Sequence, residues 1–512
     1  MMGEGADPGK AHKAGEAGEA GEAGEAEQGG SKPEWMERLR AVAVLGAGGK
    51  MGSGIAWVAL KAMAELDAKE NGVPGSGRFE LVLIDADPSS FKPLRAYLRS
   101  QLIKAAEKGI GDLRLWARER ADLIENGEII ESYVDGALSM VRCEGDLAGA
   151  KRVRIVFEAV FEDLELKKEI YGRLKALCGR DAYFLTNTSS IPISILDREA
   201  GLNGRILGFH FYNPPAVQKL VEMISGASTR TDLVDFGRDL CKAFGKLGVP
   251  AHDVAGFIGN GHFIRELLFA LGKLRELGVG APALAALDHA TQEFLIRPMG
   301  VFQLLDYVGL DVFRLILKVM REQLDAEAAA GTVFHDGTLE ALVAAGVKGG
   351  QLGSGEQKDG LFRYEKNRIA GVLDLESLAS GIRYLPLSDA GVRMALEALG
   401  APPEGHAPWG KMAKDPGREE KVAAYLARLA KTAAATGTGT PQGAGERAAG
   451  PVGFGDRAKD PQGIPLARQF LDHSRAVGAT LVRTGVADSG DAVRQVLMNG
   501  FFHLYGPADW KG

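Results

Sequence analysis

Between Arg40 and Asp85 the chain passes through an apolar strand (Ala41 to Leu45), a turn of small residues (Gly46-Ala47-Gly48-Gly49-Lys50-Met51-Gly52), an apolar helix to about Ala64 and a second strand (Phe79 to Ile84). Strands and helices alternating in this order bury their apolar faces as a parallel sheet between two helical layers. Short apolar runs at Val153 to Phe157 and Ala182 to Thr186 carry the alternation on to Glu222. They predict a doubly wound, mostly parallel sheet of Rossmann type over residues 39–250, with a charge-rich helical hairpin inserted near 91–132.

Beyond Asp253 the pattern turns almost wholly helical, which predicts an all-α C-terminal domain over 251–366 and a helical connecting region over 367–430. Residues 431–462 are rich in Gly, Ala, Pro and Thr and read as a flexible linker. Gly256 to Gly278 spans 22 positions, as does Gly463 to Gly485, and each helical stretch leads into Gly-Val. Residues 463–512 therefore read as a degenerate repeat of the helical domain. Asn260 of the first copy corresponds to Ala467 in the second, so the second copy is expected to be structural and to pack on the first.

Residues 1–38 read as a disordered tail, because the repeat Ala14-Gly15-Glu16-Ala17-Gly18-Glu19 has almost nothing to bury against the entropy of ordering it. Residues 1–34 hold eight acidic and three basic side chains, so they account for most of the formal charge of −6. The remainder is near neutral, with no basic field for nucleic acid. Cys143, Cys178 and Cys241 lie far apart, without the paired spacing of a metal knuckle or a disulfide framework. No signal-peptide core and no apolar stretch long enough to cross a bilayer is found, so a cytoplasmic protein without membrane partners is expected. No metal site is expected, and His262 reads as a helix-surface residue.

The glycine turn follows a strand and opens a helix, the context in which backbone N–H groups meet a pyrophosphate at the positive end of a helix. Gly46, Gly48, Gly49, Lys50, Met51 and Gly52 are the candidate cofactor residues, although a turn of this composition alone would equally be a plain tight turn. Asp85, closing the next strand, can bond both ribose hydroxyls, and Asp87 adds a second charge that would repel a 2′-phosphate. NAD is therefore expected over NADP.

A second motif, Gly208-Phe-His-Phe-Tyr-Asn-Pro-Pro-Ala-Val-Gln-Lys-Leu-Val-Glu222, sets a histidine among apolar neighbours with a carboxylate arriving after a turn. His210 and Glu222 suit a general base with its orienting partner, and equally a structural hydrogen bond. With Asn187-Thr188-Ser189-Ser190 before it and Gly256-Phe257-Ile258-Gly259-Asn260 after it, the chain resembles the L-3-hydroxyacyl-CoA dehydrogenase family over about residues 40–365. Two features depart from that pattern: three residues instead of two separate Gly48 from Gly52, and a polar insert lies near 66–78.

The resemblance implies NAD-dependent, reversible oxidation of a (3S)-3-hydroxyacyl-CoA to the 3-oxoacyl-CoA, as in fatty-acid β-oxidation, with His210 as acid and base and Glu222 bracing it. It also implies that Ser189 and Asn260 meet the substrate, and that Glu162, Lys167 and Asn213 lie beside the nicotinamide. In the helical hairpin after Asp85, Lys104 is the candidate for coenzyme A, where charge alone would equally describe a solvated helix face. Residues 366–512 leave no room for a fused hydratase domain, so a single activity is expected. The rival readings are a β-hydroxyacid dehydrogenase acting on a free acid and a catalytically silent NAD- or acyl-CoA-binding protein. The expected assembly is either a homodimer through the helical domain or a monomer whose second repeat covers that surface.

Overall fold

The computed structural model describes residues 33–324, 334–352, 355–432 and 461–512. Strands β1 (Ala41–Leu45), β2 (Glu80–Ile84), β3 (Val141–Glu144), β4 (Ile155–Glu158), β5 (Tyr183–Thr186), β6 (Ile206–Phe211), β7 (Leu220–Ser225) and β8 (Leu247–His252) form one sheet in the order β3-β2-β1-β4-β5-β6-β7-β8. Every neighbouring pair is parallel except β6 and β7, which run antiparallel. The short 212–219 connection cannot make the crossover that a parallel pair requires, so β7 must turn straight back. Strand order reverses at β1 and β4, and the crevice beyond the carboxyl ends of such a pair is where open α/β sheets hold ligands.

The Lys50–Asn71 helix packs on one face of the sheet together with the Phe91–Lys108, Ile110–Trp116 and Asn126–Ser139 helices, so the predicted hairpin is three helices extending to residue 139. The polar insert after Asn71 closes on buried Asp67, whose carboxylate accepts from the amides of Gly75 (2.8 Å) and Ser76 (2.9 Å) and from the Ser76 hydroxyl (2.6 Å). The insert is thus anchored to the helix it follows.

Three further parts of the sequence reading change. The tail assigned to 1–38 is ordered at its end, where residues Glu34–Arg38 form a helix and the Arg38 guanidinium lies 3.8 Å above the Tyr183 ring; residues 1–32 lie outside the described residues. The region assigned as helical from 367 begins instead with an antiparallel sheet of β9 (Phe362–Glu365), β10 (Arg368–Leu373) and β11 (Tyr384–Pro386). Lys366 and Asn367, with φ of 51° and 62°, make the two-residue hairpin turn whose twist suits such strands. His262 is buried, its Nε2 2.9 Å from the Ser474 hydroxyl, and burial pushes its pKa down to about 4. Most of the proposed linker, residues 433–460, lies outside the described residues.

The helical half is built on the Gly259–Leu277 helix, against which the Gly463–Arg483 helix packs. Phe269 sits edge-on to Phe470 at 5.1 Å and stacks on His473 at 4.3 Å across this contact. The later Gly490–Gly500 helix rests on the sheet beside β7 and β8, and the amide of His252 donates to the carbonyl of Val486 (3.0 Å). The C-terminal segment therefore touches both the first helical unit and the edge of the sheet. No helix among the described residues is long and apolar enough to cross a membrane.

Candidate active site

The antiparallel register of β6 and β7 pairs His210 directly with Glu222. Their side chains meet on one face, Nδ1 of His210 lying 2.9 Å from Oε2 of Glu222. The same oxygen accepts from the Tyr212 hydroxyl (2.8 Å), while Oε1 accepts from the amides of Ile258 (3.0 Å) and Gly259 (3.2 Å). Glu222 is fully buried, so these contacts replace the water it has lost. Its two amide donors stand at the start of the Gly259–Leu277 helix, whose positive end favours a carboxylate. Burial and the Glu222 charge push the Tyr212 phenol well above its usual pKa, so it stays a donor. A carboxylate accepts only, so Nδ1 carries a proton and Nε2 is the ring nitrogen left to exchange one.

Gly259 is where this arrangement has no slack, since a Cβ there would lie 1.7 Å from the Tyr212 oxygen. Gly259→Ala is expected to push Tyr212 off Glu222 and lower stability by about 1–3 kcal/mol, read from urea midpoints. An unchanged midpoint would show that Tyr212 yields freely.

His210 lines a cavity of about 500 Å³ with Ser189, Asn187, Asn213, Asn260, Glu162, Lys50 and Met51. Asn260 donates from Nδ2 to the Ser189 carbonyl (3.1 Å), tying the helical half to the end of β5. Asn187 accepts the amide of Phe211 (2.8 Å) and so holds the end of β6. One oxygen of Glu162 gathers the Thr188 hydroxyl (2.7 Å) and the amides of Ser189 (2.9 Å) and Ser190 (3.0 Å). Burial opposes ionisation of Glu162, but the Lys167 charge and these donors outweigh it and hold its pKa below the usual range. Lys167 itself stands behind the cavity wall, 1% exposed, with its ammonium 2.6 Å from Glu158 and 3.3 Å from Glu162. It reaches the cavity only through Glu162.

The glycine turn follows β1, and the segment of Ala159 to Glu162 follows β4, so the two meet at the strand-order reversal. Gly46, at φ +69°, abuts the Ala159 carbonyl, and a Cβ on Gly52 would lie 2.0 Å from the Gly46 carbonyl. Gly46 makes the turn and Gly52 lets the helix pack against it; the extra residue is absorbed between them. Gly49 caps the helix, leaving the amides of Lys50, Met51 and Gly52 at its open end. Asp85 accepts the amides of Gly48 (2.8 Å) and Asp87 (2.9 Å), one on each oxygen.

The sequence did not single out Tyr307 and Gln351 of the helical half. Lys50 reaches across to them, donating to Gln351 Oε1 (2.5 Å) with its ammonium 5.3 Å above the Tyr307 ring, while Asn213 Nδ2 donates to the Tyr307 hydroxyl (3.4 Å). Asn213 Oδ1 is buried at the cavity without a partner among the described residues. An orphaned acceptor there fits an amide donor such as a nicotinamide carboxamide. Lys104 is not at this cavity. It lines a second one of about 400 Å³ with Lys61, Lys108, Lys219 and Lys246, and Val217 belongs to both walls.

The family description "3-hydroxyacyl-CoA dehydrogenase, NAD binding domain" matches residues 76–254, and its "C-terminal domain" matches residues 256–358. The first match begins after the glycine turn, within the insert that follows it. The mitochondrial hydroxyacyl-coenzyme A dehydrogenase of Rattus norvegicus is 31% identical over 281 residues, covering 54% of this chain and 79% of the relative. The 3-hydroxybutyryl-CoA dehydrogenase of Clostridioides difficile is 30% identical over 268 residues, 52% of this chain and 90% of the relative. The crystal structure of 3-hydroxybutyryl-CoA dehydrogenase from Escherichia coli K12 superposes with a TM-score of 0.57 over 92% of this chain and 90% of that one, at 22% identity. That is a likeness of fold reaching well beyond the residues matched by the family descriptions.

Proposed function

This chain belongs to the 3-hydroxyacyl-CoA dehydrogenase family and is an NAD-dependent oxidoreductase, and we propose that it interconverts (3S)-3-hydroxyacyl-CoA and 3-oxoacyl-CoA as in fatty-acid β-oxidation, with His210 carrying the proton. The observation that carries this reading is the His210–Glu222–Tyr212 chain at the wall of the cavity. His210 Nε2 accepts the hydroxyl proton in one direction and returns it in the other. Glu222 keeps Nδ1 protonated and stabilises the imidazolium that forms. Ser189 and Asn260 orient the substrate oxygen. When bound, NAD supplies the hydride acceptor. The amides of Lys50, Met51 and Gly52 would hold its pyrophosphate, Asp85 its ribose and Asn213 its carboxamide, with Glu162 positioned by Lys167 beside the ring.

The lysine-lined second cavity suits the phosphates of coenzyme A. Lys104, Lys108 and Lys219 form no ion pair among the described residues, and the shared Val217 sets this cavity beside the one that holds His210. The second helical unit occupies a face of the Gly259–Leu277 helix, which supports the monomeric arrangement over a dimer through that face. The three free cysteines agree with a cytoplasmic protein.

NADH consumption with 3-oxoacyl-CoA thioesters and with free 3-oxo acids tests the reading. Turnover of the thioesters and not of the acids is expected. Turnover of free acids alone, or tight NADH binding without turnover of any 3-oxo compound, overturns it.

A further inference from the structure

The cavity that holds His210 is rimmed by exposed apolar side chains. Phe161, Val217, Val312 and Phe502, among the few large hydrophobics that the described residues leave exposed, all line it. Apolar groups gathered around a single opening mark a surface that a ligand covers. A longer acyl chain brings more methylenes to such a rim than a four-carbon one does.

Two of the wall residues, Phe501 and Phe502, come from the second helical unit, just after the Gly490–Gly500 helix. Their position is tied to the catalytic chain. The Gly500 carbonyl accepts from Gln218 Nε2 (3.2 Å), and a Cβ on Gly500 would meet the Tyr212 ring at 2.7 Å. Phe501 stands edge-on to Tyr212, with ring centres 5.6 Å apart. Phe502 has φ +56°, a conformation that a bulky side chain adopts only when its surroundings impose it. Its carbonyl accepts from the Trp409 indole N–H (2.8 Å), and the two rings meet edge-on at 6.3 Å. Ile296 of the first unit has the same backbone turn, φ +48°, four residues ahead of Gly300, as Phe502 is ahead of Gly506. Ile296 is fully buried, whereas Phe502 is 40% exposed at the cavity.

We propose that the second helical unit supplies the acyl-chain subsite, with Phe501 and Phe502 as its contact surface and Trp409 as the residue that positions Phe502, so that substrates longer than four carbons are preferred. The proposal rests on the thioester dehydrogenase reading above. Each methylene removed from water contributes about fourfold in binding, so a chain laid on the rim gains measurably over one that ends before it.

The test is kcat/KM for C4, C8 and C12 3-oxoacyl-CoA with the wild type, Phe502→Ala, Phe502→Leu and Trp409→Phe. In the wild type the C12 to C4 ratio is expected to exceed about 10. Phe502→Ala should lower that ratio about tenfold, carried mostly by KM, and Phe502→Leu should restore most of it. Trp409→Phe keeps an aromatic ring but removes the indole donor, and should lower the ratio about threefold. A wild-type ratio at or below one, or an unchanged ratio in both Phe502→Ala and Trp409→Phe, overturns the proposal while leaving the dehydrogenase reading intact. Absence of turnover with every thioester would instead overturn the dehydrogenase reading, and this one with it.

Discussion

Replacing His210 by alanine is expected to lower turnover about 10²–10⁴-fold while NADH affinity stays within about twofold. The expectation follows from where the imidazole sits. Its Nδ1 is committed to Glu222, which is itself held by Tyr212 and two backbone amides, so Nε2 is the nitrogen free to exchange a proton at the cavity. Removing the ring deletes the acid and base of the reaction but leaves the glycine turn, Asp85 and Asn213 untouched. Stopped-flow turnover with acetoacetyl-CoA and a fluorescence titration with NADH separate the two quantities. Near-normal turnover would remove His210 from the mechanism, and an equal loss of NADH affinity would mean that the variant had disturbed the cavity as a whole.

Lys167→Met is expected to cost about 3–5 kcal/mol of stability at pH 7, because it leaves the buried Glu158 and the partly buried Glu162 without their cation. Burial lowers the Lys167 pKa, but the charges of the two glutamates outweigh that and raise it overall. Glu162, whose folded pKa is depressed, contributes stability that is fully present above its unfolded value near ~4.3 and is lost as pH falls through the folded value. Lys167, whose folded pKa is raised, contributes stability that is fully present below its unfolded value near ~10.4 and is lost as pH rises through the folded value. The pair in the wild type therefore adds no pH dependence between about 5 and 7. In the variant Glu162 loses the charge that holds its pKa down and takes up a proton more readily, so stability should rise as pH falls over that interval. Urea midpoints at pH 7 and pH 5 check the sign. A variant as stable as the wild type at pH 7, or one weakened further at pH 5, would show that Lys167 does not compensate these carboxylates. Because Glu162 gathers the amides of Ser189 and Ser190, its loosening should also raise KM.

The parallel sheet was legible because its strands are buried on both faces and read as short apolar runs between helices. The small sheet of β9 to β11 was not, because three short strands beside long helices carry little periodicity, and their order depends on Asp306, which accepts the amides of Leu361 (2.7 Å) and Phe362 (2.8 Å) from 55 and 56 residues away. His262 was misjudged for a related reason. Whether a polar residue on a helix faces water depends on what packs there, and here it is Ser474, 212 residues on.

The glycine turn, His210, Glu222, Ser189 and Asn260 could be named as candidates because several short motifs, each ambiguous alone, stand together in the order that resembles one family. The chain order alone did not say that His210 and Glu222 would face each other as cross-strand partners, that Lys167 would stand behind Glu162, or that Lys104 would open on a separate cavity. Nor did it say that Phe501 and Phe502 would line the cavity of His210, nearly 300 residues away in the chain. Short-range patterns are written in consecutive residues, whereas a cavity wall is assembled from segments that meet only after the sheet has twisted and the helices have packed, so its membership is a property of the folded chain.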